Sequence, residues 1–217
     1  MDWQAFFPLL LASGVEWVEG VTAVLCVGLT IGWGASIGAA LVAVVTLAMF
    51  VAVTGCAINL GLHQWILLLV TGVLLLRFGL GRLSKAIARH CRTARRLLVV
   101  FKIVLLEGLE IWLMVVGFSL RSGAWASNVQ AVLAALMVVC LVGVPIRASL
   151  RKPPENAIRL LVGATTASFG TFWTLESLAG NVWPLGGWSL LALFAFYGFG
   201  GQMLLLKGRR RSSRAEA

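Results

Sequence analysis

Long apolar stretches alternate with short polar or basic breaks along the whole chain. Each stretch is close to the length of about 20 residues that an α-helix needs to cross a bilayer. The pattern predicts an all-α polytopic membrane protein with seven spans. The predicted spans are Phe6–Gly28, Ala35–Cys56, Gln64–Ser84, Leu97–Leu120, Ala126–Ile146, Ala157–Leu178 and Trp188–Leu206.

The composition excludes the main water-soluble classes. Hydrophobic residues make up 60% of the 217 residues and charged residues 12%, with a mean hydropathy of +0.96. A soluble domain carries about 25% charged residues, so a soluble globule, a disordered tail and a collagen-like fibre are excluded. The cysteines show no Cys-x-x-Cys spacing. Those in apolar stretches, Cys26, Cys56 and Cys140, are expected to be buried free thiols.

The net charge of +10 is unevenly distributed. The first 76 residues contain no Lys or Arg, and 17 of the 18 basic residues fall in three clusters, Arg77–Lys102, Arg147–Arg159 and Lys207–Arg214. Seven spans with the N-terminus outside place all three clusters on the cytoplasmic side, as the positive-inside rule requires. We therefore expect a multi-pass protein of the cell inner membrane or plasma membrane with a cytoplasmic C-terminus. The lipid bilayer, and no nucleic acid, is the expected partner of these basic residues.

The sequence resembles itself at a displacement of 91 residues. Predicted helices 1–3 (residues 1–90) thereby correspond to helices 4–6 (residues 91–180), while residues 181–217 hold a seventh helix and a basic tail. A three-helix unit crosses the membrane an odd number of times, so its second copy enters from the opposite side. An inverted repeat of this kind holds the substrate near the midplane in many secondary transporters. The matched pairs are Glu16 and Glu107, Glu19 and Glu110, Leu69 and Leu160, Gly72 and Gly163, Phe78 and Phe169, and Gly79 and Gly170.

Five of the eight acidic residues fall inside predicted spans: Glu16, Glu19, Glu107, Glu110 and Glu176. An ionised side chain at the bilayer centre costs about 2.5–3.5 kcal/mol, and helices 1 and 4 carry no Lys or Arg at mid-depth. Residues three apart share one helix face, so each of these helices presents a pair of carboxylates. Four carboxylates in a small volume suit a hard divalent cation such as Mg²⁺, Ca²⁺ or Mn²⁺. When the cation leaves, repulsion between the carboxylates favours protons in its place, which predicts cation–proton exchange.

Two further residues are accessory candidates for this metal site. Thr22 lies one turn beyond Glu19 and can add a hydroxyl oxygen, although hydroxyl side chains are routine in membrane helices. Glu176 has Lys85 as its counterpart in the repeat, so a protonated residue that holds helices together is the simpler interpretation. Met114 and Cys26 share the glutamate faces and could favour Mn²⁺ or Fe²⁺, although plain packing is the simpler interpretation for them too.

The paired motifs resemble two families of metal transporters. The segments Glu16-Trp-Val-Glu19-Gly-Val and Glu107-Gly-Leu-Glu110-Ile-Trp resemble the repeated Glu-x-Gly-Asp motif of the Golgi-type calcium/manganese cation–proton exchangers. They also resemble the Arg-Glu-x-x-Glu motif in helices 1 and 4 of the seven-helix iron permeases, with Val15 and Leu106 in place of the Arg. As a divergent relative of these families, the chain would carry a metal ion with the four glutamates as ligands.

The leading hypothesis is a secondary transporter that exchanges a small divalent cation, Mn²⁺ foremost and otherwise Ca²⁺ or Fe²⁺, for protons. The alternatives are an iron-permease-like uptake protein and a non-transporting membrane assembly protein. An intramembrane lipid-phosphate hydrolase would need cationic groups on the phosphate, and the outer half of the chain offers only Arg121. We therefore expect no enzymatic activity and no resident cofactor, while a monomer and a homodimer both remain open.

Overall fold

The computed structural model of the protein describes residues 3–59, 63–87, 97–143, 155–179 and 188–215. These residues are helical almost throughout, and the part of the chain so described contains no strand. A helix overlaps each predicted span in its described part, and α5 continues into a π-helical turn, Val139–Gly143. The helices are α1 Trp3–Ile31, α2 Trp33–Asn59, α3 Gln64–Ile87, α4 Leu97–Ser122, α5 Trp125–Val138, α6 Glu155–Ala179 and α7 Trp188–Ala215.

Several helices have the length and composition of membrane spans. Among the described residues, four apolar segments are long enough to cross a membrane: Ala5–Ile31, Trp33–Gly55, Gln64–Ser84 and Trp125–Val142. Many large apolar side chains of α2, such as Leu41 and Val53, are exposed. A contiguous apolar face of this kind marks contact with a membrane or another protein rather than with water. The protein thus has the features of a multi-pass α-helical membrane protein.

Single glycines make the tightest connections between helices. Gly32, between α1 and α2, has a φ of 126°, and Gly123, between α4 and α5, has a φ of 69°. Glycine adopts this region without the steric penalty that a Cβ imposes. The gap between the predicted spans, from Gly28 to Ala35, is therefore reduced to Gly32 alone. Both helices extend further than the predicted spans because one residue with positive φ is enough to connect them.

The helices form two compact units. One contains α1, α2, α4 and α5 with the first turn of α3, and the other contains the rest of α3 with α6 and α7. Each unit combines helices from both halves of the 91-residue repeat. The predicted division into residues 1–90, 91–180 and 181–217 describes similarity along the sequence and stays a prediction.

In the second unit, α3 and α6 approach each other at glycines. A Cβ on Gly79 would overlap the backbone of Ala167, and a Cβ on Gly170 would overlap the backbone of Leu76. Small residues at such crossings let the backbones of membrane helices pack closely. The other two glycine contacts of this crossing pair Gly72 with Thr174 and Gly163 with Leu83.

The thiols differ from the sequence-based expectation. Cys26 and Cys140 are free, as expected, but their side chains are exposed, so the prediction that they are buried is wrong. The side chain of Cys56 lies outside the part of the chain that is described. In a membrane helix the lipid-facing and the core-facing positions are both apolar, so an apolar sequence does not show which way a thiol points.

Candidate metal centre

Helices α1 and α4 pack against each other beside a glycine. A Cβ on Gly20 of α1 would lie 3.8 Å from Cγ of Glu107 of α4, so the Glu107 side chain lies close to the α1 backbone. Six residues before Gly20, a Cβ on Gly14 would lie 4.0 Å from the Cβ of Ala135 on α5. Small residues on α1 thus allow both α4 and α5 to pack close to the α1 backbone.

Three of the four predicted ligands come together in this unit. Glu16 of α1 and Glu107 and Glu110 of α4 each offer a carboxylate oxygen, and these oxygens all lie within 4.8 Å of one another. The exposed fractions of the three side chains are 0%, 3% and 1%, respectively. Carboxylates from two helices therefore share one buried volume, as the spacing of the motifs predicts.

The separation of the oxygens suits a single small cation. Ca²⁺ binds oxygen at about 2.3–2.6 Å, so two ligands on opposite sides of the ion lie about 5 Å apart. Mg²⁺ binds at about 2.0–2.1 Å and places opposite ligands about 4 Å apart. Oxygens within 4.8 Å of one another can therefore all reach one ion, and a smaller ion requires only a slight contraction of the group.

The charge of the group must be neutralised locally. Burial and mutual repulsion both oppose three ionised carboxylates at this distance. Helix α1 carries no Lys or Arg, and the basic residues of α4, Lys102 and Arg121, are exposed and lie towards its two ends. A bound cation or protons would add positive charge inside this buried volume.

Glu19 lies outside the group, although it is one helical turn from Glu16. Its side chain is partly exposed, whereas its counterpart in the repeat, Glu110, is buried. The residues that follow the two glutamates also differ: Gly20 follows Glu19, whereas Ile111 follows Glu110. Matching motifs therefore do not occupy matching surroundings, and the role of Glu19 as a ligand stays a prediction.

The accessory candidates lie on different helices. Thr22 is partly buried on α1, one turn beyond Glu19. Glu176 is partly buried on α6, in the second unit, and does not belong to the carboxylate group of the first unit. Their accessory roles stay predictions.

Two polar contacts that the sequence did not indicate hold α4 against its neighbours. Trp112 Nε1 donates a hydrogen bond to Thr54 Oγ1 of α2 over 3.0 Å. Asn128 of α5, whose side chain is fully buried, donates from Nδ2 to Ser119 Oγ of α4 over 2.9 Å. The available signal was an Asn inside an apolar span, since buried polar groups in such spans require partners.

No family model, no curated protein and no solved structure matches the chain. The resemblance to the exchangers and to the iron permeases therefore stays a prediction, and a function has to be argued from the chemistry of the site.

Proposed function

We propose that the protein is a secondary transporter that exchanges a small divalent metal cation, Mn²⁺ foremost, for protons. One observation carries the proposal, namely the buried group formed by Glu16, Glu107 and Glu110 with oxygens within 4.8 Å of one another. Hard divalent cations take carboxylate ligands. Ionisable side chains inside membrane helix bundles are costly and mark ion pathways.

The charge balance of the group supports exchange for protons. Three carboxylates with a divalent cation retain one negative charge, which a single proton neutralises. Without the cation, three protons are needed for neutrality. Because the group is buried, neutral states are favoured in both cases. Transport would therefore release two protons for each divalent cation bound, without net movement of charge.

An inverted repeat forms part of the proposal and is supported by contacts within the second unit. Gly79 contacts Ala167, and their counterparts in the other half of the repeat, Gly170 and Leu76, also contact each other. Likewise, Gly72 contacts Thr174, and their counterparts Gly163 and Leu83 contact each other. Two similar halves related by a two-fold axis are expected to make such pairs of equivalent contacts.

The helix pairs of the first unit support the same relationship. Helix α2 packs on α4, and α5 packs on α1. These two pairs are exchanged when each helix is replaced by its counterpart 91 residues away. We therefore assign seven spans with the N-terminus outside and the C-terminus in the cytoplasm, in which α1 and α4 cross the membrane in opposite directions.

Flux into proteoliposomes tests the proposed function. The purified chain is reconstituted, and uptake of Mn²⁺, Ca²⁺, Fe²⁺ and Mg²⁺ is measured with and without an imposed pH gradient. We expect gradient-driven flux of at least one of these ions, and its loss in the Glu16→Gln and Glu107→Gln variants. Glu155→Gln is the matched control, because it makes the same chemical change at the start of α6, before the predicted span that begins at Ala157.

The other possible flux results distinguish the alternatives. Flux that is independent of the pH gradient would favour iron-permease-like uptake over exchange. Normal flux in both glutamine variants would refute the carboxylate site. Absence of flux for every ion, in protein that elutes as a single folded species, would favour the assembly protein.

A further inference from the structure

The observed carboxylate group is asymmetric with respect to the repeat. Displacement by 91 residues exchanges Glu16 with Glu107 and Glu19 with Glu110. A fully symmetric site would contain all four residues or only one pair of counterparts. The structure instead groups Glu16 and Glu107 with Glu110, which is 1% exposed, and leaves Glu19 partly exposed outside the group.

The internal symmetry relates this arrangement to a second one. If the two halves exchange conformations, each residue takes the place of its counterpart. The group of Glu16, Glu107 and Glu110 then becomes a group of Glu107, Glu16 and Glu19. Glu16 and Glu107 are counterparts of each other and belong to both groups, while the third ligand changes.

We propose that Glu110 and Glu19 alternate as the third ligand of the transported cation, each in one of two conformations of the first unit. The proposal rests on the proposed function and adds the residues that distinguish its two states. Glu16 and Glu107 form the constant part of the site. Glu110 completes the site in the conformation described here, and Glu19 completes it in the exchanged conformation.

The positions of the two alternating residues give the exchange a direction. Glu19 follows Glu16 by one turn, and Glu110 follows Glu107 by one turn, so each lies about 4.5 Å along its helix from the constant pair. Since α1 and α4 cross in opposite directions in the proposed repeat, Glu19 lies on the cytoplasmic side of the constant pair and Glu110 on the outer side. Replacing one by the other moves the cation along the transport axis.

Measurements of binding and transport by glutamine variants distinguish the constant residues from the alternating ones. Glu16→Gln and Glu107→Gln remove a ligand from both conformations and should weaken equilibrium binding of Mn²⁺ by about 100-fold or more. Glu19→Gln and Glu110→Gln each leave one complete group, so binding should weaken by less than about tenfold. Both single variants should nevertheless lose exchange, because the cation cannot leave the remaining group for the other. The double variant Glu19→Gln/Glu110→Gln should bind as poorly as Glu16→Gln.

Thiol reactivity reports the conformation directly and does not depend on flux. Val24 and Val115 are counterparts, each five residues beyond an alternating glutamate. Val24 is partly exposed in the described conformation, whereas Val115 is buried. Val24→Cys and Val115→Cys are placed singly in a chain without its native cysteines and are treated with a small thiol reagent in saturating Mn²⁺. In the Glu110→Gln background we expect slower reaction at position 24 and faster reaction at position 115 than in the Glu19→Gln background, because the two positions exchange surroundings.

Three results would overturn the alternation. The first is normal exchange by Glu19→Gln. The second is binding by Glu19→Gln or Glu110→Gln that is as weak as binding by Glu16→Gln. The third is equal thiol reactivity in both backgrounds. Failure of the proposed function is distinct, because the unsubstituted chain would then show no flux of any ion, or Glu16→Gln and Glu107→Gln would bind and transport the cation as the unsubstituted chain does.

Discussion

The side chain of Glu107 lies against Gly20. A Cβ on Gly20 would be 3.8 Å from Cγ and 4.0 Å from Cβ of Glu107. These are ordinary van der Waals distances, so the space beside Glu107 admits a methyl group and little more. The residue after Glu19 on α1 thereby influences where a carboxylate of α4 lies.

Substitutions of Gly20 should have graded effects. Gly20→Ala should raise helix stability by about 0.5–1 kcal/mol and leave metal affinity unchanged. Gly20→Leu should displace Glu107 and weaken Mn²⁺ binding by about tenfold or more, which corresponds to 1.4 kcal/mol. Isothermal titration of both variants measures the difference.

Gly38→Leu is the control for added side-chain volume. A Cβ on Gly38 of α2 would meet no atom within 4 Å, so this variant should bind the metal normally. Equal binding by Gly20→Leu and Gly38→Leu would show that the contact between Gly20 and Glu107 does not position the carboxylate.

The pH dependence of binding should reflect competition by protons. Binding of the cation is expected to displace two protons from the group of Glu16, Glu107 and Glu110. Where the empty group is fully protonated, the Kd for Mn²⁺ should therefore rise by about 100-fold for each unit fall in pH. The measurement is a titration of Mn²⁺ at several pH values, and a Kd independent of pH would contradict proton exchange.

Exchange should be electroneutral. Two protons balance the charge of one divalent cation, so a membrane potential set with K⁺ and valinomycin should not change the rate of Mn²⁺ flux in proteoliposomes. A pH gradient of equal driving force should change it. A flux that follows the membrane potential would indicate a different stoichiometry, with net charge crossing at each cycle.

The close crossing of α3 and α6 predicts strong effects of small substitutions. Gly79→Ala and Gly170→Ala each place a Cβ onto the backbone of the other helix and should lower the free energy of unfolding by about 1–3 kcal/mol or more. Gly81→Ala, whose Cβ would meet no atom within 4 Å, should be neutral or stabilising. Thermal unfolding in detergent distinguishes them, and equal melting temperatures for the three variants would contradict the packing.

The hydrogen bond between Asn128 and Ser119 should contribute to stability without affecting the metal. Asn128→Ala leaves Ser119 without its buried donor and should destabilise the chain by about 1–3 kcal/mol. Ser119 is nine residues beyond Glu110, about 13.5 Å along α4, so Mn²⁺ affinity should be unchanged. A double-mutant cycle with Ser119→Ala isolates the pairwise contribution, and loss of metal binding in Asn128→Ala would show a direct link to the site.

The sequence alone determined the helices and the candidate ligands. Apolar stretches of spanning length, separated by basic clusters, predict helices because a bilayer requires internal hydrogen bonding over that length. The spacing of Glu16 and Glu19, and of Glu107 and Glu110, placed each pair on one helix face. These features are local, so periodicity along the chain is enough to predict them.

The tertiary structure alone decided which carboxylates converge. Glu107 and Glu110 join Glu16 while Glu19 remains partly exposed, although the two motifs match in sequence. The choice depends on the packing of α1 against α4, where Gly20 leaves room for Glu107. The outward direction of Cys26 and Cys140 was likewise not predictable. In a membrane protein the helix faces that contact lipid and those that contact other helices are both apolar, so hydropathy identifies a helix without showing how it is rotated about its axis.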